Sequence, residues 1–348
     1  MQKIPFIGLV GIAGFFLIGE LSAQRPGPLP GGPGQRPSGR QARQHTETES
    51  QPLRLVPANR NPPVASEVSI KADQRGVRIE SNSIPDHKVG RFPNSGNPNE
   101  IRDQNFDVVV PAKPEEAGHI TYINGSPNGG GRRGFRVFGI TLDGVMMEPG
   151  TAESWMGQMD GWNYEALGGA IDLGLDANYA HVQPGGTYHY HGLPIGLMKR
   201  LGYKTGDHSP MIGWAADGFP IYAMYGYKDP LDPNSGIEEL TTSYQLRKGN
   251  RPGGTTNPGG EYDGAFVQDY EFVAGSGTLD ECNGRFCVTP EFPDGTYAYF
   301  LSREWPVLPR AFRGTPVELK FGNEMEGFER PGRGRPPFPP PGGGPPPR

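Results

Sequence analysis

Cysteine is nearly absent from this chain: Cys282 and Cys287 are the two in 348 residues. They are not spaced as Cys-x-x-Cys, so a thioredoxin-like redox centre has no support. Excess positive charge is missing as well. Lys and Arg number 33 against 38 Asp and Glu, for a net charge of -5 and an isoelectric point near 5.9. Nucleic-acid binding needs a concentrated basic surface to neutralise phosphates, and nothing here provides one; the arginines of both ends are scattered among Pro and Gly and read as solubilising charges. No apolar run reaches the roughly 18 residues that a membrane-spanning helix needs. A Gly-rich phosphate loop, a nucleophile elbow and a His-Glu-x-x-His helix are also absent, which leaves nucleotide binding and standard hydrolysis without a motif.

What the chain has in quantity is glycine and proline, 54 and 39 residues, in a background 34% hydrophobic and 20% charged. Both residues are poor in helix interiors and favour turns and short strands, so the expected fold is mainly β with few short helices. Met1 to Ala23 begins with Lys3, continues through the apolar stretch Ile4 to Ile18 and ends in Leu21-Ser22-Ala23. That pattern predicts a secretory signal cleaved after Ala23, hence an exported protein with no transmembrane helix once cleaved. Residues 24–63 and 331–348 hold too few apolar side chains to offset the entropy of ordering and are expected to be disordered. One domain is expected between them, over 64–330.

Within that region short apolar or alternating runs recur, each bounded by Gly, Pro, Asn or Asp: Val68 to Ile70, Gly76 to Glu80, Phe106 to Val110, Phe135 to Leu142, Tyr188 to His191, Ile221 to Met224 and Tyr297 to Leu301 among them. The spacing predicts an antiparallel β-sandwich or a barrel-like domain. Helices are expected only over Glu153 to Ala166 and Leu193 to Arg200. An echo links Leu175-Asp176 and Pro184-Gly185-Gly186-Thr187-Tyr188-His189-Tyr190-His191 with Leu279-Asp280 and Pro293-Asp294-Gly295-Thr296-Tyr297-Ala298-Tyr299-Phe300. It points to an internal duplication in which the second copy keeps the tyrosines and loses both histidines; two unrelated hairpins of similar composition are the alternative. In an oxidising compartment Cys282 and Cys287, flanking Asn283-Gly284, are expected to form a small disulfide.

Four of the seven histidines fall between residues 181 and 208. Side chains alternate along a strand, so His189 and His191 share one face and Tyr188 and Tyr190 the other, which assigns chemistry to the first face and packing to the second. If Ala180 to Gln183 pairs across the turn Pro184-Gly185-Gly186, His181 becomes a third nitrogen donor. Three neutral imidazoles suit zinc or copper. Clustering weakens the alternative, in which the rings merely pack or hydrogen-bond on a polar sheet face. His208 is a candidate fourth ligand, and Asp217, in an Asp-Gly turn, a candidate to orient a ligand imidazole or act as a base. His87 stays in reserve, while Glu153 and the pair Asp280 and Glu281 are the other acids available.

Thr187-Tyr188-His189-Tyr190-His191-Gly192, together with Asp217-Gly218-Phe219-Pro220-Ile221-Tyr222 and Leu279-Asp280-Glu281-Cys282-Asn283-Gly284-Arg285, resembles the YHYH-domain family. The resemblance extends upstream through Ser81 to His87 and Trp162 to Ala166, so it covers most of the expected domain. It implies an exported protein and supplies no reaction to transfer. His189-Tyr190-His191-Gly192-Leu193 is also similar to the His-Trp-His-Gly-Leu motif of multicopper oxidases, but the further His-x-His motifs and the Cys-containing copper site of those enzymes are missing. Two expectations follow. One is an exported protein that binds copper or zinc through a histidine cluster. The other is a non-catalytic module that binds a glycan, a peptide or a surface partner, with Trp155, Trp162 and Trp214 available for stacking.

Overall fold

The computed structural model describes residues 45–123, 137–158 and 161–319. The signal-like segment and the C-terminal tail lie outside them. Strands β1 (Val68–Ala72), β2 (Val77–Ser81) and β3 (Phe106–Val110) form an antiparallel sheet in that order. Its first hairpin is closed by Asp73, whose carboxylate accepts the Arg75 and Gly76 backbone N–H groups. Strand β4 (Glu116–Tyr122) pairs with the last strand, β17 (Ala311–Gly314). Two further antiparallel ribbons are β11 (Tyr225–Tyr227) with β12 (Ile237–Glu239) and β13 (Tyr244–Leu246) with β14 (Tyr270–Phe272).

The central sheet has eight strands: β5 (Gly139–Thr141), β6 (Met146–Met147), β7 (Ala180–Val182), β8 (Tyr188–Tyr190), β9 (Met211–Ala215), β10 (Pro220–Tyr222), β15 (Gly284–Cys287) and β16 (Thr296–Phe300). Their spatial order is β15-β16-β10-β9-β5-β6-β8-β7. Both faces are covered, so β6, β8 and β10 are buried at every position. The main core lies against this sheet and includes Ile140, Met146, Met147, Tyr188, Tyr190, Ile212, Ile221 and Tyr299. The expectation of a mainly β, mostly antiparallel fold holds. Among the described residues the sheet is open, with no closed barrel, and two of its pairings are parallel, β6 with β8 and β10 with β16.

From the central antiparallel pair β5 and β9, the two halves of the sheet run outward alike. Each continues antiparallel, then parallel, then antiparallel, as β5-β6-β8-β7 on one side and β9-β10-β16-β15 on the other. Details repeat as well. Tyr190 pairs with Met147 and Tyr299 with Ile221, and each partner follows an Asp-Gly turn, at Asp143 and at Asp217. Tyr188 donates to Asp176 at 2.8 Å and Tyr297 to Asp280 at 2.9 Å; Tyr190 and Tyr299 donate to Asp143 and Asp217. The carbonyls of Tyr179 and Asn283, both at positive φ, accept the N–H groups of His191 and Phe300. The sequence echo therefore coincides with a repeated topology, in which His181, His189 and His191 match Arg285, Ala298 and Phe300.

Four expectations are corrected. The described residues of 153–166 form no helix: Met156 and Gly157 take positive φ, and a bridge joins Ser154 to Asn163. The helix expected at Leu193 is α1 (Ile195–Arg200), which begins after Pro194. Residues 45–63, expected in the leader, run along the domain through bridges from Val56 to Asp176 and from Arg60 to Val89. Cys282 and Cys287 are unpaired. The turn at Asn283 leads straight into β15, and the extended residues 284–287 alone span roughly 10 Å, beyond the ~7 Å Cα separation that a disulfide bridges. Cys282 packs into the main core, while Cys287 joins Tyr222, Leu240, Leu279 and Phe300 in a separate cluster.

Candidate metal centre

The edge hairpin of the central sheet builds the site. β7 and β8 pair with His181 opposite His189, and the chain reverses through Gly186, at φ 94°. His191 follows β8 and is held by its N–H to the Tyr179 carbonyl at 2.8 Å. Three rings thus face one another, with centroids 4.7 to 4.8 Å apart. The Nε2 of His191 lies 3.0 Å from that of His189 and 3.0 Å from that of His181. His189 and His191 are 1% and 2% exposed, and His181 is half-buried on the outer strand.

Hydrogen bonding fixes what these nitrogens present. Nδ1 of His181 lies 2.8 Å from the Leu173 carbonyl and Nδ1 of His189 lies 3.2 Å from the Thr187 carbonyl. The Asn97 amide nitrogen also lies 3.2 Å from His181 Nδ1, but it donates to the Val182 carbonyl at 2.9 Å and the Leu173 contact is the shorter. A carbonyl can only accept, so both Nδ1 atoms carry the proton and both Nε2 atoms turn a lone pair inward. Burial pushes the His181 imidazole down to about 4. It also holds His189 and His191 well below the usual histidine range, helped by the neighbouring rings and, at His191, by Arg310. All three are neutral near pH 7. Only one proton, on His191, can be shared among the three Nε2 atoms, whereas a cation between them would satisfy all three lone pairs. Tetrahedral nitrogens 2.0–2.1 Å from one ion stand about 3.3 Å apart; the two 3.0 Å contacts of His191 need widen by only a few tenths of an ångström, and all three ligand atoms lie within 4.8 Å of one another.

Of the residues singled out in the sequence, the structure brings together His181, His189 and His191, the histidines that could hold a metal ion among the described residues. His208 is not with them. Its ring lies against Tyr222 and Tyr227, in the other half of the sheet, where β8 and β10 are separated by β6, β5 and β9, roughly 19 Å at ~4.8 Å per strand. Its Nδ1 meets the Ser209 carbonyl at 2.9 Å. Asp217 does not orient a ligand imidazole, because its carboxylate accepts from Tyr299, Gly314 and Phe219. Backbone carbonyls orient His181 and His189 instead. Asp280 is taken up by Tyr297, and Glu281 by Tyr122. Trp162 is used internally, against Tyr262 and Phe266.

One residue escaped the sequence reading. Glu148, 6% exposed, brings Oε2 to 3.6 Å from His189 Nε2 and accepts from Gln183 Nε2 at 2.7 Å. A lone carboxylate closing the apolar run Val145-Met146-Met147 was the available signal.

The profile of a family described as YHYH protein matches residues 107–314, more than half of the chain. The chain belongs to the YHYH family. No curated protein and no solved structure matches. The matched span of the YHYH domain contains the whole histidine cluster, Glu148 and both halves of the central sheet. The tyrosine face of its motif strand is more than packing. Tyr190 Oη lies 2.6 Å from His87 Nε2 and donates to Asp143 at 3.2 Å, while Tyr188 is bound to Asp176. Burial raises the Asp143 carboxyl against the pull of nearby His87. Among the described residues no helix is long and apolar enough to cross a membrane.

Proposed function

We propose that this YHYH protein is exported and holds a transition-metal ion, copper or zinc, through Nε2 of His181, His189 and His191. The observation that carries this reading is the convergence of three neutral imidazoles, His189 and His191 buried and His181 half-buried, with Nε2 contacts of 3.0 Å, His181 and His189 being held by backbone carbonyls with Nε2 free for a metal. A bound ion would supply Lewis-acid character at the edge of the sheet, reached past the half-buried His181. Export rests on the signal-like Met1 to Ala23, and the mature N terminus is expected at Gln24.

Titration of chelator-stripped full-length protein with Zn(II) and Cu(II) tests the metal. One equivalent is expected in the wild type and in His208→Ala, and none in His189→Ala/His191→Ala. A folded wild type that takes up neither ion would remove the proposal. N-terminal sequencing of the processed protein tests export, and retention of Met1 on all of the material would contradict it.

A further inference from the structure

We infer that Glu148 is the anionic member of this centre and sets its preference for a divalent over a monovalent ion. The inference rests on the metal reading above. The parallel register of β6 with β8 sets Met146 beside His189 and Met147 beside Tyr190. The Glu148 N–H continues that ladder by donating to the Tyr190 carbonyl at 2.9 Å. Residues in register on neighbouring strands share a face, so Glu148 lies beside His191 on the histidine side. Its Oε2 is 3.6 Å from His189 Nε2, and Gln183, from the turn between β7 and β8, holds that oxygen at 2.7 Å.

The repeated half of the sheet is an internal comparison. There Tyr222 pairs with Phe300, so Tyr222 stands where Glu148 stands. Phe300, Ala298 and Arg285 stand where the three histidines stand. Tyr222 and Phe300 stack with centroids 5.7 Å apart, and the Arg285 guanidinium lies over the Phe300 ring. The same sheet position is therefore filled by an aromatic side chain where Phe300, Ala298 and Arg285 replace the three histidines, and by a buried carboxylate where His191, His189 and His181 stand. Charge explains the association. Three neutral imidazoles leave a buried dication with its whole charge uncompensated, and one carboxylate removes half of it. Its attraction to a dication is about twice that to a monocation at the same distance.

The test is competition against chromophoric chelators with the full chain, using Zn(II) and, under reducing conditions, Cu(I). Glu148→Gln keeps the shape and an acceptor for Gln183 while removing the charge. It is expected to weaken Zn(II) binding about 10–100-fold, the range seen when residues supporting metal ligands are lost, and Cu(I) binding by roughly the square root of that factor, about 3–10-fold. Glu148→Asp, which retains the charge, is expected to keep the wild-type ratio of the two affinities. Equal losses for both ions in Glu148→Gln, or unchanged Zn(II) binding, would overturn the role of Glu148 while leaving the histidine site standing. A wild type that binds neither ion would overturn both. Circular dichroism of the metal-free variants separates loss of charge from loss of fold: a Glu148→Gln protein that unfolds transfers the decision to the affinity ratio of Glu148→Asp.

Discussion

Burial acts on individual side chains here in two opposite senses, and both have consequences in solution. At the three histidines it removes the proton and leaves a lone pair, which makes a ligand of a base. At Asp217 it does the reverse. The carboxyl is 1% exposed and is raised above its ordinary 3.8 by desolvation, against the hydrogen bonds from Tyr299 and Gly314. A raised carboxylate binds its proton more tightly in the folded than in the unfolded chain. Its contribution to stability is thus greatest at low pH and declines as pH rises from 3.8 through the folded value. Asp217→Asn is expected to cost about 1–3 kcal/mol, because the amide cannot accept from all the donors that face the carboxylate. It should also flatten the fall of unfolding free energy between acid and neutral pH. Urea unfolding across that range checks this, and an unchanged slope would show that Asp217 does not titrate as the burial requires.

At the level of elements, the hairpin of β7 and β8 is where local sequence speaks most directly. Pro184-Gly185-Gly186 announces a turn, the alternation from Tyr188 to His191 announces a strand, and together they bring His181 opposite His189. Gly186 is essential to that register. At φ 94° an L side chain is strained, and a Cβ there would meet the Arg102 side chain at 2.6 Å. Gly186→Ala is expected to destabilise the protein by about 1–3 kcal/mol and to weaken metal binding by misaligning His181 with His189. Thermal unfolding and metal titration read the two effects separately. Glu148 was not legible in the same way. It enters through the parallel pairing of β6 with β8, strands about forty residues apart in sequence, and nothing in local periodicity specifies a parallel neighbour. The supposed helix at 153–166 failed for a related reason: an apolar pattern interrupted by Gly157 and Gly161 was satisfied by a bridge and turns.

The repeat governs the whole molecule and explains why the more distant site assignments went astray. His208 and Asp217 follow closely after His191 in sequence, but the chain has by then crossed to the other half of the sheet, so proximity along the chain becomes separation in space. The echo between Tyr188 to His191 and Tyr297 to Phe300 was the visible part of this division. Its hidden part is the four Asp–Tyr pairs, three with a fully buried aspartate and one, at Asp280, partly buried, that fasten the two halves in the same way: Asp176 with Tyr188, Asp143 with Tyr190, Asp280 with Tyr297 and Asp217 with Tyr299. Equivalent pairs should carry equivalent weight. Tyr188→Phe and Tyr297→Phe each remove one phenolic donor from an aspartate withdrawn wholly (Asp176) or partly (Asp280) from solvent, at an expected cost of about 1–3 kcal/mol. Because the two sites share no partner, the double variant should lose the sum to within about 0.5 kcal/mol. Tyr297→Phe should leave metal affinity unchanged, since it lies in the half that lacks the histidine cluster. Chemical denaturation of the two single variants and the double variant measures this. A large loss at one site with none at the other would mean that the halves share a topology without sharing the interactions that hold it.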